Sequence, residues 1–527
     1  MLFRSIFQQI HYGYPHPPPL TNPPSPHQLH PSLLANPPSP HHPHPAPPFS
    51  PHSPGYSPQN SPRNKRNPSP SPSPSHTQTP SSEPKTPGYI LDTPVQEASW
   101  YPREQAEEDV LHLIHAVGSS GSITSEGPLT EIFSRRSHPF ELQSLREAYK
   151  RKYSSLKAPE LTDLFGLSLA SGSRTPDYSS NGFRNLLRAL VLGPVELDTY
   201  LLFRAMAGAG TNEEYLQIVL LGRTNLEIKA ITAQYEATGK KRARLSGRST
   251  SAGDVESLRG AVEGDVRGNL KKLYLGILTA ARKWDSQPPE QGEIDRDILD
   301  LHGALTGTLN VETVLKYFTY APLTRLRAVS VHWKRVTGDD SSLEQRIEKQ
   351  FHGDVEDALL YLLLSATDEA LRDASLLHQS LTKSGFNLGK SGSWLPRMTK
   401  QEEIAFIVAK VVWRDHALTS YGNTRTGSSV YAPGDYLKEV EEKYAMIVDG
   451  SSSVSSSRSS SLSRIRSRSR SPAAVPLKLR RGDLLRKIKK ETSGEFENFL
   501  VQLWVVREKA EVVGHRVSAR ASREQAR

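Results

Sequence analysis

Two helical patterns recur four times in the same order along this chain, and that recurrence limits its fold more than any other feature. The first pattern places apolar residues at i and i+3 and an aromatic at i+7. Its copies are Leu142, Leu145, Tyr149; Ile228, Ile231, Tyr235; Leu326, Val329, Trp333; and Leu437, Val440, Tyr444. The second pattern has apolar residues at i, i+3 and i+7. It reads Phe183, Leu186, Leu190; Leu270, Leu273, Ile277; Val355, Ala358, Leu362; and Phe496, Phe499, Leu503. In the last three copies a glycine stands two residues ahead: Gly268, Gly353 and Gly494. Each stripe alone is an ordinary amphipathic helix. Four ordered pairs imply four similar helical units, and no alternating β-branched run bounded by hairpin turns competes with that reading.

Composition limits where those units lie. Of 40 prolines, 27 precede residue 99, among Ser, His, Asn and Gln. Such a segment lacks the apolar surface to offset its ordering entropy, so residues 1–98 are expected to be a disordered tail. Its repeated Ser-Pro dipeptides suit proline-recognising protein domains and phosphorylation. Nine of the 18 histidines fall there, including His41, His42 and His44, and read as a spacer because nothing rigid holds them as ligands. A second biased tract, 451–472, has 13 serines and five arginines and is expected to be a disordered insertion. With no cysteine, disulfides, thiolate metal sites and cysteine nucleophiles are excluded. No apolar run approaches a bilayer span, and the opening MLFRSIFQQI is too short for a signal peptide, so a cytoplasmic protein is expected. The net charge of +10 invites lipid or nucleic acid, but much of that excess sits in the two biased arms.

The segment richest in chemistry is MAGAGTNEEYLQIVLLGRTNLEIKAITAQY, residues 206–235. Its glycine turn, Gly208-Ala209-Gly210, allows tight turning with carbonyls directed outward, the hard oxygen ligands that calcium takes. Thr211 is expected to cap the next helix, with Glu214 completing a capping box. Carbonyls carry no charge, so a carboxylate must come from elsewhere, and Asp265 is suitably placed in the repeat order.

MAGAGTNEE followed by LGRTNLEIKAI resembles the start of an annexin repeat, whose usual form is M-K-G-x-G-T-D-E with S-R-T-x-x-E-I. The resemblance extends over about residues 105–510. It implies an all-α fold of four repeats of about five helices in a curved right-handed superhelical array. It also implies Ca2+ bound by the carbonyls of Met206, Gly208 and Gly210 with the Asp265 carboxylate. The stretch from Gly210 to Asp265 is long for the family, and the excess falls in the polar loop 240–257. The other repeats depart from the pattern. The first has VGSSGSITSEGPL for its turn, and no calcium is expected there. The third keeps Gly307 but presents Gln350 at the acidic position, a weaker ligand; the fourth supplies Glu491 but lacks the turn glycines.

The expected boundaries are 99–193, 194–286, 287–368 and 369–515 for the four repeats, with the insertion at 450–475 and a tail at 516–527. Arg223 is expected to be structural, and Trp333 to fill the core place held elsewhere by Tyr. Of Trp284, Trp394, Trp413 and Trp504, only Trp394 lies in a loop suited to membrane contact. No H-E-x-x-H, G-x-S-x-G or phosphate-loop motif is present, so a non-enzyme is expected. Anionic phospholipid is the expected partner of the repeats. The rivals are a calcium-independent helical scaffold acting through its biased segments and, disfavoured by the lack of an RNA-reading motif, a nucleic-acid protein.

Overall fold

The computed structural model describes Tyr89 and residues 101–117, 123–153, 160–164, 181–206, 210–245, 257–283, 290–382, 399–421, 431–451 and 483–506. The two biased tracts, the C-terminal tail, Gly208, Trp284 and Trp394 lie outside the described residues, Tyr89 and the helical Ser451 excepted. Among the described residues every regular element is a helix, with one isolated bridge between Val117 and Ile123.

The helices follow one another in four sets of five. The first set is α1 (Arg103–Ala116), α2 (Glu126–Arg135), α3 (Pro139–Tyr153), α4 (Leu161–Leu164) and α5 (Gly182–Leu192). The second is α6 (Pro194–Ala205), α7 (Glu213–Leu220), α8 (Asn225–Leu245), α9 (Leu258–Asp265) and α10 (Gly268–Ile277). The third is α11 (Gln291–Leu305), α12 (Val311–Tyr320), α13 (Leu323–Thr337), α14 (Leu343–Gln350) and α15 (Asp354–Thr367). The fourth is α16 (Glu369–Thr382), α17 (Lys400–Tyr421), α18 (Asp435–Ser451), α19 (Asp483–Glu491) and α20, residues 494–506.

Local chemistry sets these boundaries. Asn212 and Asn310 cap the second helices of their repeats, accepting from the Tyr215 and Thr313 amides at 3.2 and 3.1 Å. In the R-T-x-x-E segment Thr224 and Glu227 cap each other reciprocally: the Thr224 amide donates to Glu227 Oε2 at 2.9 Å and the Glu227 amide to Thr224 Oγ1 at 3.2 Å. Ser342 and Gln345 form a second reciprocal box at α14, while Ser257 caps α9 by accepting from the Gly260 amide alone. Between the fourth and fifth helices the chain turns through φ of +62° at Gly268, +67° at Gly353 and +64° at Gly494. That left-handed backbone is the reason a glycine precedes three of the four second-pattern stripes. The first repeat has Asn181 there at φ −77°, with its side chain capping α5 instead.

Every member of the first pattern is buried, Trp333 completely, as the stripe requires. The second pattern is buried apart from half-buried Val355, so each third and fifth helix turns its apolar face to the core. Repeats join through their fifth helices. α10 packs against α12 and α15, and α5 runs along α17, bringing the first and fourth repeats together. Against α20 of the fourth repeat a Cβ on Gly182 would stand 2.3 Å from the Phe496 ring, so glycine lets α5 approach that ring so closely. No described helix is long and apolar enough to cross a membrane.

Candidate metal centre

In the second repeat α6 ends at Ala205, and the chain must turn before α7 begins at Glu213. The Asn212 amide donates back to the Ala205 carbonyl at 2.9 Å, closing the turn into a loop. Within it Gly210 has φ +100°, a conformation that costs glycine little. Thr211 does not cap α7. Asn212 takes that role, and Thr211 Oγ1 instead donates to the Asp265 backbone carbonyl at 3.2 Å. This bond spans 54 residues and brings the turn to the end of α9. The stretch expected as a polar loop at 240–257 in fact continues α8 as far as Leu245, because its basic residues can extend a helix on the solvent side, and the added length does not part Gly210 from Asp265.

Asp265 is the last residue of α9 and is exposed. None of the ion pairs among the described residues involves it. Partial desolvation, with no nearby cation to offset it, raises its carboxyl above the usual carboxylate range. Met206 and Gly210 belong to the same turn. The donor set is oxygen only, with one carboxylate beside a carbonyl-bearing turn, and it fits a hard cation such as calcium. Among the described residues no three His, Asp or Glu side chains converge as a metal cluster, and this kind of site needs only one.

Gln350 and Glu491 occupy the corresponding place in their repeats, each as the last residue of the fourth helix. Gln350 Nε2 donates to the Leu305 carbonyl at 3.0 Å, in the turn that holds Gly307 at φ +71°. Glu491 receives Lys400 Nζ at 2.5 Å and Lys487 Nζ at 2.7 Å, and these bonds, Lys400 first, hold its carboxyl down at about 2.

A second polar assembly lies inside the fold, and the sequence signalled only Arg223. Asp198 on α6 is fully buried. Its Oδ2 accepts from Arg223 at 2.8 Å and from the Tyr89 hydroxyl at 2.5 Å, while Lys410 of α17 pairs with Oδ1. Arg223 also donates to the Val219 carbonyl at 2.9 Å and the Tyr89 hydroxyl at 2.9 Å, so it is structural, as read. Burial alone would lower its pKa, but the Asp198 charge overrides that and raises it. Lys410 is pushed down to about 8 by the same burial, despite Asp198. The visible signal for Asp198 was an acid amid the apolar residues of PVELDTYLLF; nothing in the sequence marked Lys410 or Tyr89. Trp413 and Trp504 are buried, which removes both as membrane contacts.

The chain is similar to known proteins in sequence and in fold. Annexin A13 of Homo sapiens is 31% identical over 269 residues, half of this chain and 74% of the relative. The chain belongs to the annexin family. Annexin A13 of Mus musculus is 29% identical over 284 residues, covering 53% of this chain and 78% of the relative. A scan against family profiles found no match. Among solved structures, annexin III (TM-score 0.51, 18% identity, 79% of this chain and 96% of that one) has the same fold. So does a calcium-bound annexin (Sm)1, with TM-score 0.51, 19% identity, and 80% and 95% coverage. An annexin repeat is thus the unit that recurs here, and calcium-dependent phospholipid binding is the activity at the level of the family.

Proposed function

We propose that this annexin bridges calcium to anionic phospholipid through its second repeat, as a peripheral and non-catalytic membrane binder. The carbonyls of Met206, Gly208 and Gly210 and the carboxylate of Asp265 take part of the calcium shell. A lipid phosphoryl or carboxylate oxygen fills positions left open, which calcium's need for six to eight oxygens favours. The observation that carries this reading is the Thr211 to Asp265 hydrogen bond, which holds the glycine turn beside an exposed carboxylate that has no internal cation. Calcium bound to a solved annexin of the same fold supports the reading. Affinity in free solution should be low and should rise when lipid completes the shell. Surface Lys and Arg add about 1 kcal/mol each near an anionic leaflet, screened by salt.

The boundaries 194–286 for this repeat, and those of its neighbours, belong to the same proposal. So do the Pro-rich tail as a ligand for proline-recognising domains and a cytoplasmic site of action. Co-sedimentation of the full chain with phosphatidylserine vesicles tests the function. We expect pelleting in millimolar calcium, none in chelator, and loss of the calcium-dependent fraction in Asp265→Ala. Unchanged calcium-dependent pelleting of that variant sinks the site. Equal pelleting with and without calcium favours the calcium-independent scaffold.

A further inference from the structure

The three helix ends compared above differ in one respect: what faces the turn. The alignment of the second and third repeats is set by one conserved hydrogen bond. The Asn212 amide reaches the Ala205 carbonyl at 2.9 Å, and the Asn310 amide reaches Ala304 at 2.9 Å. The next residues, Met206 and Leu305, are therefore equivalent. In the third repeat the Leu305 carbonyl, counterpart of the proposed Met206 ligand, accepts a proton from Gln350 Nε2 at 3.0 Å. A carbonyl is acceptor only, so the amide must present nitrogen to it. In the fourth repeat Lys400, on the first turn of α17, reaches Glu491 at 2.5 Å, and Lys487, one turn before Glu491 on α19, reaches its other oxygen at 2.7 Å. These are charge-assisted bonds on a partly shielded carboxylate, with 22% of the side chain exposed. In the second repeat Asp265 has no such donor, and the link to its turn is the single Thr211 hydroxyl.

We propose that the third and fourth repeats carry built-in nitrogen donors in the place of a cation. Gln350 Nε2 fills it in one, and Lys400 Nζ, seconded by Lys487, in the other. Gln350 ties the end of the first helix, and Lys400 the start of the second, to the end of the fourth helix, pieces that a calcium ion would otherwise join. Those two junctions are assembled without metal, and of the three compared, the junction at Asp265 is the one left for an ion. For calcium to reach Glu491 it must compete with two ammonium groups, and to reach the Leu305 carbonyl it must compete with the Gln350 amide for that oxygen. The last clause, calcium at Asp265, rests on the proposed function; the two internal crosslinks do not.

Hydrogen exchange of the full chain, read by mass spectrometry in millimolar calcium and in chelator, tests this. Calcium should slow exchange in peptides spanning 206–215 and 260–268 and leave those spanning 305–313 and 486–494 unchanged. In chelator, Lys400→Ala with Lys487→Ala should speed exchange in 486–494 by about tenfold, the scale of losing hydrogen bonds to a charged group. Gln350→Leu should do the same, to a smaller degree, in 305–313. Slowing of 305–313 or 486–494 by calcium in the unaltered chain overturns the proposal, as does unchanged exchange in both variants. If the double lysine variant does not fold, Gln350→Leu, close in volume and uncharged, decides alone. Calcium that slows none of the four peptides refutes the Asp265 reading, while the variants still judge the crosslinks.

Discussion

Asp198→Asn is the perturbation whose cost follows most directly from the structure. The carboxylate is fully buried and serves two cations at once, Arg223 at 2.8 Å on Oδ2 and Lys410 on Oδ1. The substitution keeps the shape and one acceptor oxygen, but replaces the other by an NH2 donor and removes the charge that compensates both cations. Stripping one partner from a buried ion pair costs about 3–5 kcal/mol, because the remaining charge stays desolvated. With Arg223 still bonded to Val219 and Tyr89, we expect about 4 kcal/mol, most of it from Lys410. For a folded unit this large, about 2 °C of melting temperature is lost per kcal/mol, so calorimetry should show a fall of about 8 °C. The loss should be nearly insensitive to salt, since buried pairs are poorly screened. Adding Lys410→Met, which removes the stranded charge, should restore part of it. A fall under about 2 °C, or no recovery in the double variant, refutes the reasoning. The pH dependence gives an independent check. The folded-state pKa of Lys410, about 8, lies below its ordinary 10.5, so the unfolded chain holds this proton over a higher range. Between those values the unfolded state binds more protons, and this group makes stability rise with pH. In Asp198→Asn the opposing carboxylate is gone, so the rise should begin at lower pH.

Gly353→Ala places a Cβ where nothing lies within 4 Å, at φ +67°, so its cost is backbone strain alone. With ψ at −144° the residue sits in a region that essentially only glycine occupies, so urea unfolding should show a loss of about 1–3 kcal/mol, with Gly353→Asn no milder. Thr211→Val removes the hydroxyl that ties the turn to Asp265; it should weaken calcium binding in titration calorimetry while leaving the melting temperature within about 2 °C, as expected for a change outside the core. Glu491, held at about 2 by Lys400 and then Lys487, has a folded pKa below its ordinary 4.5. Its contribution is complete above 4.5 and lost as pH falls toward 2, so acid unfolding followed by circular dichroism should be less steep over that window in Glu491→Gln.

The sequence by itself determined the all-helical, fourfold character of this protein. Burial of an apolar stripe is enforced by its 3.6-residue period, and Tyr149, Tyr235, Trp333 and Tyr444 all went to the core because no other face could hold them. It also determined the glycines at 268, 353 and 494, since only a residue without Cβ adopts that positive φ freely. The Thr211 signature was legible as a turn, but its hydroxyl's partner was not, because the partner lies 54 residues away and a capping role close by looked equally good. Tertiary structure alone decided which acidic positions are open. In the sequence Gln350 reads as a neutral substitute for Asp265 and Glu491 as an intact acid without its turn glycines; folding shows each already engaged, by Leu305 in one case and by two lysines in the other. It likewise decided that Asp198, Arg223, Lys410 and Tyr89 meet. Charges far apart in sequence share a carboxylate only where packing has excluded water, and no local pattern records that exclusion.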